Sequence, residues 1–210
     1  MSLRGYGMRN YVRLDNFLNK RAQEIYPEPI GDLAVDITNK MIPEIFDFYK
    51  IKLNSNSKVL DIGCGDGFAL EIFHDKGCVP LGVSFGEDAK KARERGFEII
   101  ESDMSFLDFD ECFFDVIWCR HVLEHSVFPY FTLCEIYRFL KPGGIFYIEV
   151  PAPETSSAHE TNPNHYSVFS KKMWESLISR SGLKVMRSNT ISFRTEVGPD
   201  EYYAFDGKRE

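Results

Sequence analysis

Two short stretches of this 210-residue chain hold most of the side chains able to move a proton or grip an ion. In the first, Cys119-Arg120-His121-Val122-Leu123-Glu124-His125, two imidazoles and a carboxylate fall within one turn of chain. In the second, residues 151–169, a polar run opened by Pro151-Ala152-Pro153 carries His159, Glu160, Asn162, Asn164 and His165. Histidine titrates near neutral pH, so His121, His125 or His165 could take a proton from a hydroxyl group. The set His121, Glu124, His125 and His165 could instead ligate a divalent metal, its nitrogen donors favouring softer ions such as zinc. A third stretch, Asp61-Ile62-Gly63-Cys64-Gly65-Asp66-Gly67, offers shape. Gly63 and Gly65 let the backbone turn tightly and approach a ligand with no Cβ in the way.

The surroundings of that glycine loop narrow its purpose. Val59-Leu60-Asp61-Ile62 reads as a short apolar strand and residues 68–76 as a helix, which is the context of a nucleotide-binding loop. A dinucleotide site wants G-x-G-x-x-G, its third glycine helping to seat a pyrophosphate on the helix N-terminus. Here the glycines run G-x-G-x-G, and Phe68 stands where that third glycine would be. The acid before them, Asp61, is more than an ordinary strand-to-helix turn requires.

Strands are further expected at residues 80–83, 97–100, 114–119 and 145–150, the last almost wholly apolar, as a strand buried on both faces should be. Helices are expected at 87–95 and from the end of the fourth strand to about residue 140. Ser170 is placed to cap a last helix that Gly182 stops, and residues 183–192 and 201–205 to pair as a hairpin. Strands alternating with helices mean an α/β fold with a doubly wound, mostly parallel sheet, here closed by a C-terminal antiparallel hairpin. Ligands bind at the carboxyl ends of such strands, where both histidine stretches emerge. Before residue 51 no strand signal is found; helical stretches at 14–25 and 32–49 flank the turn Pro27-Glu28-Pro29. The expected organisation is an N-terminal helical segment (1–50) covering the cofactor and a main domain (51–210), with a substrate-lid insert near 151–169.

With these elements in order, residues 58–192 resemble the class I, Rossmann-like S-adenosylmethionine-dependent methyltransferases. Val59 to Gly67 looks like the family's first motif, Phe114-Asp115-Val116-Ile117-Trp118-Cys119 like its fourth-strand motif, and Leu140-Lys141-Pro142-Gly143-Gly144 like the turn before its fifth strand. The resemblance implies S-adenosylmethionine as cofactor, held by Asp61, Gly63, Cys64, Gly65 and Cys119. It also implies that Asp103, with Met104 beside it, meets the adenine. One departure stands out. The family ends its second strand with an acid that grips both ribose hydroxyls, whereas this chain has Ser84, which cannot clamp two hydroxyls with charge assistance. Phe85 packs either on the adenine or in the core.

The histidine stretch has its own resemblances. His121-x-x-Glu124-His125 matches the H-x-x-E-H string of one metallopeptidase group, but that string belongs mid-helix and this one starts at a strand end. Some metal-dependent O-methyltransferases, among them small-RNA 2′-O-methyltransferases, carry E-x-x-E-H here, with a downstream histidine completing a metal site in the small-RNA enzymes. His121 replaces the first glutamate of that pattern, and we favour the metal-free reading, in which Glu124 and His125 support a helix start.

Composition limits what remains. A net charge of −7 without a basic tail disfavours nucleic acid as partner, and 43% hydrophobic residues with 18 Phe and 10 Tyr argue for a packed core. Five cysteines with no C-x-x-C pair point to reduced thiols and a cytoplasmic location. No apolar run is long enough for a membrane helix. The expectation is therefore methylation of a small molecule, at oxygen. A non-catalytic S-adenosylmethionine-binding sensor or partner subunit is the rival from another class, and the histidine-rich insert argues against it. The acceptor and the oligomeric state are not written in the sequence.

Overall fold

Short apolar strands between glycine turns pair side by side, and in the computed structural model they form one seven-stranded sheet. The structure describes residues 4–24 and 31–210, and the side chains of 11–21, 31 and 33–210. The turn expected at Pro27-Glu28-Pro29, and Ile25 at the end of the first expected helix, lie outside them.

In chain order the elements are α1 (Arg4–Glu24), α2 (Asp32–Tyr49), β1 (Lys58–Ile62), α3 (Phe68–Asp75), β2 (Val79–Val83), α4 (Gly86–Glu94), β3 (Glu98–Ile100) and β4 (Phe114–Arg120). Then follow α5 (Pro129–Phe139), β5 (Leu140–Pro151), α6 (Lys171–Arg180), β6 (Leu183–Thr195) and β7 (Gly198–Arg209). The sheet order is β3-β2-β1-β4-β5-β7-β6. β1 to β5 are parallel, and β7 runs antiparallel to both β5 and β6. This is the doubly wound sheet with a C-terminal hairpin that the sequence calls for. The order reverses direction at β1 and β4, so the crevice of such a sheet opens at their carboxyl ends.

Alternation along the strands sorts two cores. Val59, Val116, Trp118, Ile145 and Tyr147 pack under Ile42, Ile45 and Phe46 of α2 and Phe73 of α3. Leu60, Ile62, Ile117, Phe146 and Ile148, one residue out of phase, pack against Leu133 and Ile136 of α5 and Trp174 and Ile178 of α6. Trp118 lies flat on Tyr147 at 4.1 Å between ring centroids. α2 is thus cemented to the sheet by burial of large side chains, each worth roughly 1.5–3 kcal/mol.

Four boundaries differ from the sequence reading. The first is α1, which begins at Arg4 rather than at residue 14. No α-helix follows β4 directly. Residues 121–128 are loop, with one 3₁₀ turn at Leu123–His125, and α5 starts only at Pro129, a residue suited to a helix's first position. His121 sits at φ +52°, which breaks any helix starting there. β5 begins at Leu140 because Phe114 pairs with it before a bulge restores the register at Val116 with Ile145. The hairpin strands are longer than expected, since their polar alternating residues carry the ladder through Thr195 and Gly198.

Gly82 fixes how closely β2 meets its neighbours. A Cβ there would lie 2.5 Å from Cys64 Sγ, 2.7 Å from Ile99 and 2.9 Å from Leu70. Gly82→Ala should cost ~1–3 kcal/mol by overpacking. Urea unfolding measures this, and a loss below ~0.5 kcal/mol would mean that these side chains yield freely.

Candidate active site

A cavity of about 820 Å³ opens along the carboxyl ends of the strands, within the ~300–1,000 Å³ usual for small-molecule sites. One side is built by the glycine loop. Gly63 and Gly65 adopt φ +79° and +55°, and the amides of Gly63 and Cys64 both donate to the Val83 carbonyl at 2.9 Å, folding the loop back onto β2. Asp61, Gly63, Cys64, Gly65, Ser84, Phe85 and Met104 all line the cavity. Asp103 and Cys119 do not; the Asp103 carboxylate accepts the Ser105 amide at 2.8 Å, and Cys119 is fully buried. Burial pushes the Asp61 carboxyl up to about 8, against the pull of the Arg120 charge. Burial, with the Asp61 charge adding to it, also raises the Cys64 thiol far above its usual range, so it is an inert wall.

Where the sequence places Ser84 without an acid, the structure brings one from the next strand. Glu101, directly after β3, lines the cavity, accepts the Gly86 amide at 3.4 Å and is held by the Arg93 guanidinium, which keeps its carboxyl below the ordinary range. Sequence spacing gave no signal for it, because β2 and β3 become neighbours only through sheet pairing.

The opposite side carries the histidines, in two groups. His121 belongs to a buried charge network: its Nε2 lies 2.9 Å from Glu149 Oε1 and its Nδ1 3.5 Å from Glu124 Oε1. Burial alone would lower its pKa, but the hydrogen bonds to Glu124 and Glu149 more than offset this and raise it. Two carboxylate neighbours favour the imidazolium form, which has no lone pair to take a proton. Glu149 has no exposure; it also meets Arg120 Nε at 2.8 Å and the Tyr147 hydroxyl. Burial would raise its carboxyl, yet His121 and Arg120 hold it below the usual range.

His125 and His165 form the second group, their ring centroids 4.9 Å apart. His125 Nδ1 donates to the Asn164 carbonyl at 2.9 Å, and His165 Nδ1 to the His159 carbonyl at 2.8 Å. In each ring the lone pair is therefore on Nε2. His165 Nε2 accepts the Asn162 amide at 3.2 Å. Glu124, His125 and His165 offer ligand atoms that all lie within 4.8 Å of one another, and Glu124 Oε2 is buried without a hydrogen-bond partner. His121 stands outside that triplet and touches it through Glu124.

Main-chain stitching explains the convergence. The amides of Tyr166 and Ser167 donate to the Glu124 carbonyl at 2.7 and 2.9 Å, tying residues 151–169 to the 3₁₀ turn. From the hairpin, Asp200 accepts Ser157 Oγ at 2.6 Å and His159 Nε2 at 3.0 Å. From α1, Arg21 lies over the Tyr166 ring at 3.9 Å and reaches the His125 carbonyl at 3.4 Å. Gly31, Leu33, Ala34 and Thr38 at the start of α2 complete the wall, with Tyr202 of β7. Arg120 and His159 belong to the two histidine stretches but had no role assigned from sequence, and neither Asp200 nor Tyr202 was foreseen. The last two sit on a strand whose place beside β5 no local pattern encodes.

Comparison with known proteins fits this geometry. A family profile described as "methyltransferase domain" matches residues 36–189. The chain is 27% identical over 165 residues to the sterol 24-C-methyltransferase of Candida albicans, covering 68% of this chain and 44% of that protein. It is 32% identical over 95 residues to a ubiquinone biosynthesis O-methyltransferase of Methylococcus capsulatus, covering 41% and 40%. The chain thus spans less than half the length of these relatives. Its backbone matches a geranyl diphosphate C-methyltransferase from Streptomyces coelicolor A3(2), solved with Mg²⁺, geranyl diphosphate and S-adenosylhomocysteine, at TM-score 0.68 and 13% identity over 88% of this chain and 85% of that one. Among the described residues no helix is long and apolar enough to cross a membrane. The chain belongs to the methyltransferase domain family, with the fold of the class I, Rossmann-like S-adenosylmethionine-dependent methyltransferases.

Proposed function

We propose that the protein transfers a methyl group from S-adenosylmethionine to an oxygen of a small molecule, with His125 as the base that takes the acceptor's proton. The observation that carries this is the Nδ1–carbonyl bond of His125, which leaves its Nε2 basic beside a cavity shared with the glycine loop. The similarity to sterol and ubiquinone-pathway enzymes and the net charge of −7 support a small-molecule acceptor over RNA.

When bound, S-adenosylmethionine supplies a methyl group made electrophilic by its sulfonium. The chain's own part is alignment and proton removal. The residues fit such a cofactor: a glycine cradle, a buried Asp61 to face an ammonium group, and polar groups for a ribose. We assign Ser84 and Glu101 to the ribose, Phe85, Met104 and the Asp103 segment to the adenine, and Cys64 and Cys119 to the supporting wall. α1 and α2 serve as the cover and residues 151–169 as the lid. His121 holds Glu124 and Glu149 in place, and His165 orients the acceptor beside His125.

A second reading rests on Glu124, His125 and His165. Metal-bound histidines characteristically give their other ring N–H to a carbonyl or carboxylate, as both do here. With the unpartnered Glu124 Oε2 they would hold a divalent ion of the zinc or manganese class, which would lower the acceptor's pKa.

His125→Asn should lower kcat ~10²–10⁴-fold on a panel of hydroxylated acceptors with labelled cofactor, while S-adenosylhomocysteine binding by calorimetry stays unchanged. An equal loss of cofactor affinity would remove the base role. Chelator treatment separates the two readings: activity that survives it supports the metal-free site, and activity lost and restored by added metal supports the ion.

Asp61 sets a pH dependence. Its pKa lies above the unfolded value, so the native protein holds this proton between about pH 4 and 8 and loses that stabilisation as the pH rises through the window. An ammonium group brought beside it favours the carboxylate, so binding releases the proton. Affinity for S-adenosylhomocysteine should therefore rise from about pH 6 to about pH 8, and Asp61→Asn should flatten the profile. A flat wild-type profile would place the ammonium group elsewhere.

A further inference from the structure

β6 ends the sheet, so among the described residues its outer edge pairs with no strand. Thr195 and Gly198 close the β6–β7 ladder around a two-residue turn, which fixes the phase of its hydrogen bonds. Thr195, Phe193 and Ile191 spend their main-chain groups on β7, and Arg194, Ser192, Thr190 and Ser188 turn theirs outward. Two contacts agree with this phase. Lys171 Nζ reaches the Ser188 carbonyl at 3.3 Å and Thr190 Oγ1 at 3.1 Å. Pro199, which has no N–H to give, stands opposite Arg194 and turns its carbonyl to the Ser156 amide at 3.1 Å. A register shift between Val185 and Arg187 interrupts the strand at its other end. Thr190, Ser192 and Arg194 are exposed, and such an edge is a template for another strand.

The edge is complementary to itself. Laid antiparallel on a second copy with Ser192 facing Ser192, it sets Thr190 against the partner's Arg194, and each facing pair exchanges two main-chain hydrogen bonds. On the α2 face, Ile191 then meets the partner's Phe193, an aliphatic–aromatic pair repeated by symmetry. A shallow cavity of about 170 Å³, floored by Ile37, Met41 and Ile191, lies beside that pair. On the α6 face, the partner's Glu196 comes opposite Ser188, where Lys171 sits. Lys171 has no carboxylate partner in its own chain, and Arg194 and Glu196 are exposed without hydrogen bond or ion pair among the described residues.

We propose that this edge is an interface between two copies of the chain, which pair antiparallel at Ser192 into one continuous sheet. Lys171 and the partner's Glu196 supply charge complementarity on one face, and Ile191 with the partner's Phe193 supplies apolar contact on the other. A contact made chiefly by two strands is small against the ~1,200–2,000 Å² of stable complexes, so the dimer is reversible. β7, which the pairing backs, bears Tyr202 of the cavity wall and Asp200, which anchors the insert.

Sedimentation equilibrium of the full chain tests this, and a monomer–dimer equilibrium is expected at ~1–500 μM protein. Ser192→Pro removes the central bonds but none of the monomer's ladder, because the Ser192 N–H faces away from β7. It should weaken association ~10-fold or more. Lys171→Glu and Glu196→Lys should each weaken it ~3- to 10-fold, and the double variant should regain most of that loss. A chain that stays monomeric throughout would overturn the assignment, as would a folded Ser192→Pro protein that dimerises like the wild type. Should circular dichroism show that variant unfolded, the charge pair decides. Full dimerisation in both single variants, or no recovery in the double, places the contact elsewhere.

Discussion

A carboxylate with no contact with water must be matched by charge and hydrogen bonds, and at Glu149 that requirement organises the whole histidine side of the cavity. Its partners come from its own strand (Tyr147), from the end of the neighbouring strand (Arg120) and from the loop beyond (His121). The His121 amide also donates to the Glu149 carbonyl at 2.8 Å, so backbone and side chain are held by one residue. This explains how a histidine tolerates φ +52°. The local strain is offset by an ion pair and two hydrogen bonds that no helical continuation could make.

Once His121 is fixed, the rest follows by contact. Glu124 is drawn toward His121 Nδ1, the 3₁₀ turn exposes its carbonyl, and the insert after β5 binds that carbonyl with two successive amides. The insert thereby delivers the Asn164 carbonyl to His125 and positions His165 over the same ring. Asp200 anchors the insert from the hairpin through His159, and its carboxyl is kept below the ordinary range by hydrogen bonds from Ser157 and the Glu201 amide that outweigh its burial. The histidine side is thus a chain of dependencies from the sheet outward, and each loop is positioned by main-chain carbonyls rather than by packing alone.

The glycine-loop side is built differently. There the glycine loop is set by conformation, and the charges stand at two levels of exposure. Asp61 is buried and shares a face with Arg120, while Glu101 sits in a surface network with Arg93 and the start of α4. A deeply buried acid is sensitive to the charge of its ligand, whereas a half-exposed one paired with arginine is screened by solvent and keeps its charge. This division suits a ligand with a zwitterionic end and a neutral, hydroxyl-bearing middle.

The sequence by itself determined the strand–turn–helix rhythm from residue 58, the glycine loop, the Ser170 cap and the hairpin, because these depend on local patterning and on residues such as glycine that act through their own backbone. It also identified the histidines, since residue type and the carboxyl ends of parallel strands suffice to bring 121–125 and 151–169 to one edge. It could not sort them. Whether a histidine lies between two carboxylates or gives its Nδ1 proton to a carbonyl depends on Glu149 and on the carbonyls of His159 and Asn164, which are remote in sequence or set by loop geometry. For the same reason Glu101 and Asp200 came only with the tertiary structure. Sheet pairing and burial, which no local pattern carries, decide which charges meet and which of their atoms are left for a ligand.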